Sequence, residues 1–345
     1  MLSRPHQGVR RATRIDRAKV GRGSRPWRKI AKGLLALILA LSIQLPGMGV
    51  ANSAEIWFAP MDSFVRPEAG YGGSADYMAL FQTQSDELVR FRVAVFKVYA
   101  QFVQWAKDDE LRRVFTELKR LHIALAMEAG MLTASERCGH GVEGYGGDGA
   151  AKLATRIEQL GGDLAYIAMD EPMFYGHHFS GGNACHASLA DIARDAATNL
   201  TAVKAVFRQL RAGDIEPVGP SPDDALVQDY ARWADTFRAT TGEPFAFVHA
   251  DVQWKEDWRH PLKKLAVVLG ERKIPLGVIY NGGGDSDEAW VAQAEAHYRV
   301  VEDYSEIAPD QVVFQSWEAR PSHLLPDTDP GALTHLLSRH NQAAH

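Results

Sequence analysis

Asp170 and Glu171 stand side by side at the end of the apolar run 166–169, and Pro172 follows at once. Proline has no N–H to give to a sheet ladder, so strand pairing stops there. A buried parallel strand that ends in acids delivers them to the rim of a barrel. Comparable runs recur along the chain. Asp62 lies just beyond the first, Lys97 and Tyr99 belong to the second, Glu128 to the third and Glu216 to the fifth. His249 and Asp251 lie on the sixth, Tyr280 and Asn281 on the seventh, and Trp317 and Glu318 on the eighth. Packing alone would favour Val, Ile and Leu at such positions. Carboxylates gathered with tryptophan and tyrosine suit the breaking of a glycosidic bond. One carboxyl protonates the leaving oxygen, while another attacks the anomeric carbon or activates water. Trp57, Trp254, Tyr280 and Trp317 offer faces for sugar rings, and Asn281, Gln253 and Gln315 offer hydrogen bonds for hydroxyls. Taken singly, each carboxylate also reads as an ion-pair partner at a rim. His249, in phase with Phe245, Phe247 and Asp251, likewise reads as a core histidine.

The elements that must position these groups alternate. Apolar segments at 56–60, 92–99, 122–128, 166–171, 212–217, 245–251, 276–281 and 312–318 read as strands, the fifth being poorest in β-branched residues. Amphipathic or helix-forming stretches at 109–120, 151–160, 189–210, 223–240 and 288–304 lie between them, and Gly161-Gly162 stops the second. Strand and helix in this order predict parallel βα units. Eight repeats predict an α/β fold, a single-domain (β/α)8 barrel over 55–345. An open doubly wound sheet would carry a Gly-rich phosphate loop after an early strand. Gly282-Gly283-Gly284 comes late and lacks the lysine, so it reads as a loop. The proline-rich stretch 321–330 predicts an ordered loop leading to a last helix at 332–337.

The first 54 residues read differently. Eleven Lys and Arg precede the apolar run 33–41, and small residues follow at 49–54. This is the pattern of a secretory signal peptide, or of an N-terminal anchor if it is not cleaved. The remainder is then expected to be periplasmic or secreted, with the membrane touched only through that segment. The formal net charge of −5 includes this basic stretch, so the rest is more acidic still, which argues against a nucleic-acid partner. Two cysteines, Cys138 and Cys185, follow the third and fourth strands. In an oxidising compartment they predict a disulfide over one face of the barrel.

The strand pattern and the Asp170-Glu171-Pro172 triplet resemble the (β/α)8-barrel glycoside hydrolase superfamily, whose clan-A members close strand four with Asn-Glu-Pro. The resemblance implies an oligo- or polysaccharide substrate, no cofactor or metal, and Glu171 as general acid/base. Clan A places its nucleophilic Glu at the end of strand seven, where this chain has Tyr280-Asn281-Gly282. The second carboxylate is therefore expected from Glu318, Glu216 or Asp251, in that order, Glu318 leading because it follows Trp317 on the strand that closes beside the first. Asp62, Lys97, Tyr99, Glu128, Asp170, His249, Gln253, Trp254, Tyr280, Asn281 and Trp317 are the expected substrate contacts. Asp170 would raise the pKa of Glu171, although neighbours on a strand point to opposite faces. Two alternatives stay open. One is a metal-dependent sugar isomerase with Glu128, Glu171, His249 and Asp251 around a divalent cation. The other is a barrel that binds polysaccharide without cutting it.

Overall fold

Eight parallel strands pair in sequence order, and the last closes on the first. They are β1 (Glu55–Ala59), β2 (Val93–Tyr99), β3 (Ala124–Ala129), β4 (Leu164–Asp170), β5 (Arg211–Val218), β6 (Val248–Val252), β7 (Leu276–Tyr280) and β8 (Gln311–Gln315). The computed structural model describes residues 54–63, 73–82, 86–303 and 306–343. The expected leader lies outside the described residues except for Ala54. The chain is a single-domain (β/α)8 barrel, as the alternation of segments predicts.

Helices α1 (Glu87–Arg90), α2 (Ala100–Trp105), α3 (Asp108–Arg120), α4 (Gly147–Gln159), α5 (Leu189–Val206), α6 (Ala225–Thr241), α7 (Arg259–Arg272), α8 (Asp287–Glu302) and α9 (Leu333–Ala343) surround the sheet. α7 has no counterpart among the expected helices. Arg259, His260, Lys263 and Lys264 blur its apolar stripe, and Pro261 sits in its first turn, where a missing N–H costs nothing.

Side chains along each strand alternate between the barrel interior and the layer beneath the helices. Trp57, Val95, Ala126, Tyr166, Ala168, Ile215, Phe247, Ile279 and Val313 form the inner cluster. Trp57 lies edge-on to Phe247 and His249 at 4.6 and 4.7 Å, and Phe247 stacks on His249 at 4.2 Å. These large rings need small neighbours: a Cβ on Gly213 would lie 2.2 Å from the Phe247 ring, and one on Gly277 would lie 2.3 Å from that of His249. The weak β composition of β5 follows from this. Gly213 makes room inside, while Asp214 and Glu216 take the outer face.

Cys138 and Cys185 are bonded, joining the loops after β3 and β4 across 47 positions of sequence. In the chain-entropy account a closure of that length contributes about 4 kcal/mol.

Candidate active site

The C-terminal ends of the strands form the mouth of the barrel. Lys97 on β2 is fully buried and reaches Glu128 Oε2 on β3 at 2.5 Å and Gln315 Oε1 on β8 at 2.6 Å. Gln315 Nε2 donates to the same Glu128 oxygen at 3.0 Å. One cation and one amide thus hold Glu128, a pairing a buried carboxylate needs. Tyr99 continues β2 in phase with Lys97, and its hydroxyl donates to the Ser316 carbonyl at 2.8 Å. Asp62 is buried and raises the pKa of Tyr99, as does Glu128, both behind the larger effect of burial.

Asp170 lies in phase with Tyr166 and Ala168 of the inner cluster, so it points into the mouth. At Glu171 the backbone turns to φ +45°, the left-handed region that side chains other than glycine rarely take. That turn overrides strand alternation. Glu171 faces the same space as Asp170, against the expectation that neighbouring residues would diverge. Burial pushes Glu171 well above the usual carboxylate range, and the charges of Asp251, Asp170 and Glu216 push further. Asp251, inward on β6, is hydrogen-bonded to Glu171, and burial first and Glu128 second push it up to about 7. Asp170 is raised by burial, Glu128 and Glu143, with Lys97 pulling the other way. Among the described residues Lys97 is the lysine that stands with these acids, and the raised carboxyls retain protons toward neutral pH.

Glu143 is a carboxylate that strand-end reasoning misses. It lies on the loop after β3, its side chain hydrogen-bonded to Tyr175, and it raises Asp170, Glu171 and Asp251. The next residue, Gly144, takes φ +82° while its backbone passes that of β4; a Cβ there would lie 3.0 Å from the Asp170 carbonyl oxygen. The close run of glycines around Glu143 was the available signal.

Several expected residues lie elsewhere. Glu216 alternates with inward Ile215 and so faces the helix layer, where its oxygens accept the Met173 and Phe174 N–H groups at 2.6 and 3.0 Å. It anchors the π-turn Phe174–His178 just after Glu171 and is not exposed to the mouth. Glu318 is exposed, out of phase with Gln315 and beyond the last residue of β8. It is absent from the main charges acting on Glu171. Asp251 therefore replaces both as the partner of Glu171.

Tyr280 alternates with inward Ile279 and is buried outside the barrel against Tyr298 and Phe314. Trp254 stacks on His297 at 4.1 Å, and its Nε1 donates to Asn281 Oδ1 at 2.7 Å. Gln253 is exposed beside Gly219. Trp57 is wholly enclosed within the inner cluster. Trp317 is half-buried and packs on that cluster from the end of β8, which puts an aromatic face at the mouth.

His249 sits one inward layer below Asp251. Its Nε2 meets Gln311 Oε1 at 2.9 Å, and burial and Lys97 depress its pKa. The metal set of Glu128, Glu171, His249 and Asp251 does not assemble, because His249 is held by Gln311 and Glu128 by Lys97.

No family model and no curated protein matches this sequence. Solved structures are similar to this chain at low identity. A phospho-2-dehydro-3-deoxyheptonate aldolase from Thermotoga maritima is 10% identical with a TM-score of 0.47, over 85% of this chain and 70% of its own. The GH53 catalytic domain from Ignisphaera aggregans is 9% identical with a TM-score of 0.49, over 74% and 84%. A GH5_18 protein from Streptomyces cattleya in complex with GlcNAc is 10% identical with a TM-score of 0.46, over 77% and 70%.

Proposed function

We propose that this barrel hydrolyses glycosidic bonds in an oligo- or polysaccharide, with Glu171 as the proton donor. The observation that carries the reading is the hydrogen-bonded Glu171–Asp251 pair, raised in pKa and ringed by Asp170, Glu128 and Glu143 at the mouth. A carboxyl kept protonated near neutral pH is what a leaving alkoxide requires. As the anomeric C–O bond breaks, the proton of Glu171 passes to the leaving oxygen. Water supplies the new hydroxyl at the anomeric carbon, and its released proton returns to the acidic pair. Negative charge on Asp251, whose pKa lies at about 7, favours the oxocarbenium character of the transition state. Trp317 supplies the stacking face, and Asn281 and Gln315 lie at neighbouring strand ends as hydrogen-bonding groups. The basic leader and the Cys138–Cys185 bond support a periplasmic or secreted location.

The same pair favours one second reading. The carboxyls are in hydrogen-bond contact, closer than the roughly 5 Å of a double displacement or the 6.5–9.5 Å of a single one. A sugar must part them before cleavage, and a barrel that never opens the pair would bind glycan without cutting it. A glycan panel assayed with wild type and with Glu171→Gln separates these. Hydrolysis requires turnover by wild type on some member of the panel and its loss in the variant with glycan binding kept. Binding without turnover by either protein establishes the non-catalytic reading.

A further inference from the structure

His177, His178 and Asp229 bring three ligand atoms within 4.8 Å of one another. The two histidines end the π-turn after Glu171, and Asp229 lies on the first turns of α6, where it is buried. His177 Nδ1 lies 2.7 Å from the Ala187 carbonyl oxygen, so that nitrogen carries the proton and Nε2 keeps a free lone pair. The Ala187 N–H in turn donates to the Gly176 carbonyl at 2.8 Å, which ties the histidine segment to the disulfide-linked loop. A backbone carbonyl on the remote ring nitrogen is the usual support of a metal-bound histidine.

The carboxylate is divided in a similar way. Arg232 holds Asp229 Oδ1, which leaves Oδ2 facing the imidazoles. His178 Nε2 lies 3.1 Å from that oxygen and is shielded from water. Two ligands on one tetrahedral ion at bond lengths of about 2.0–2.2 Å stand roughly 3.3 Å apart, close to this separation.

We propose that His177, His178 and Asp229 bind one divalent transition metal of the zinc class, with a fourth position open to water. Two imidazoles and one carboxylate are borderline ligands, suited to Zn2+ or Co2+ rather than to Mg2+ or Ca2+, which take oxygen. The ion would clamp the segment that follows Glu171 to α6. None of its ligands belongs to the acidic pair, and its test reads metal binding alone, so it stands or falls independently of glycan cleavage.

The test uses tag-free full-length protein stripped with EDTA and titrated with Zn2+ by calorimetry, alongside Co2+ absorption spectra. One Zn2+ per chain is expected, with a tetrahedral Co2+ spectrum and no saturable Mg2+ binding. His178→Ala should weaken Zn2+ binding at least about 100-fold. His177→Ala, at a partly exposed position, should do the same while thermal unfolding without metal stays cooperative. Absence of stoichiometric Zn2+ binding overturns the site, as does binding left unchanged by both folded variants.

Discussion

β4 and β5 are neighbours, and two carboxylates lie on or just beyond each, yet the two pairs face different ways. Asp214 and Glu216 are two apart, so alternation sends both to the outer face. There Asp214 accepts the Trp233 indole N–H at 2.7 Å, and Glu216 caps the Met173 and Phe174 amides. Asp170 and Glu171 are adjacent, and alternation alone would separate them. The left-handed backbone at Glu171 brings both to the mouth, where Asp251 meets them. Strand phase turned one pair of acids into the helix layer, and a single residue out of register with it brought the other pair to the mouth. The two are coupled, because Glu216 from β5 holds the turn that follows Glu171 on β4.

The widest separation between the strands is expected in turnover. Glu171→Gln should lower kcat by about 1,000-fold, within the range of general acid catalysis. Glu216→Gln should cost less than about ten-fold in kcat. Comparable losses in the two variants, at equal stability, would place both acids in the chemistry and erase the distinction. In denaturant unfolding the order reverses. Glu216→Gln leaves one of two buried amides unpaired and should cost about 1–3 kcal/mol, whereas Glu171→Gln should cost less than about 1.

A pH series sharpens the contrast further. The pKa of Asp251 is raised in the folded state to about 7, so between roughly pH 4 and 7 the native protein binds more protons than the unfolded chain. Its stabilising contribution is present below the unfolded pKa and is lost as pH rises through the folded one. Asp251→Asn should therefore flatten this part of the stability profile and gain about 1–2 kcal/mol at pH 8, with turnover lost. On β5, Asp214→Asn keeps an acceptor for Trp233 and should gain a comparable amount at pH 8 with turnover intact, since burial also raises Asp214. Equal losses of turnover in the two variants would contradict the separation of roles. The smallest effect concerns the backbone. Glu171→Gly relieves a left-handed conformation and should stabilise the inactive protein by about 0.5–1 kcal/mol in urea unfolding.

The barrel was legible along the chain because most strands are apolar runs of the right length and helix-forming sequence lies between most of them. α7 escaped because its exposed basic residues hide its apolar face. Phase was written in the sequence too: Ile215 and Ile279 point inward, which sends Glu216 and Tyr280 outward, and Glu318 falls out of step with Gln315. Strand ends counted as equivalent sites obscured that alternation. Glu143 left only a glycine-rich loop as its trace, since a loop residue's position depends on what the loop packs against.

The amino-acid order was sufficient for the eight-stranded barrel, the acids on β4 and the cysteine pair, because these depend on local periodicity, turn chemistry and parity. Folding in three dimensions chose Asp251 over Glu318 and Glu216 as the partner of Glu171, and it turned Glu171 toward Asp170. Those outcomes rest on side-chain direction and on one backbone angle held by contacts from a neighbouring strand, which periodicity along a single chain does not encode.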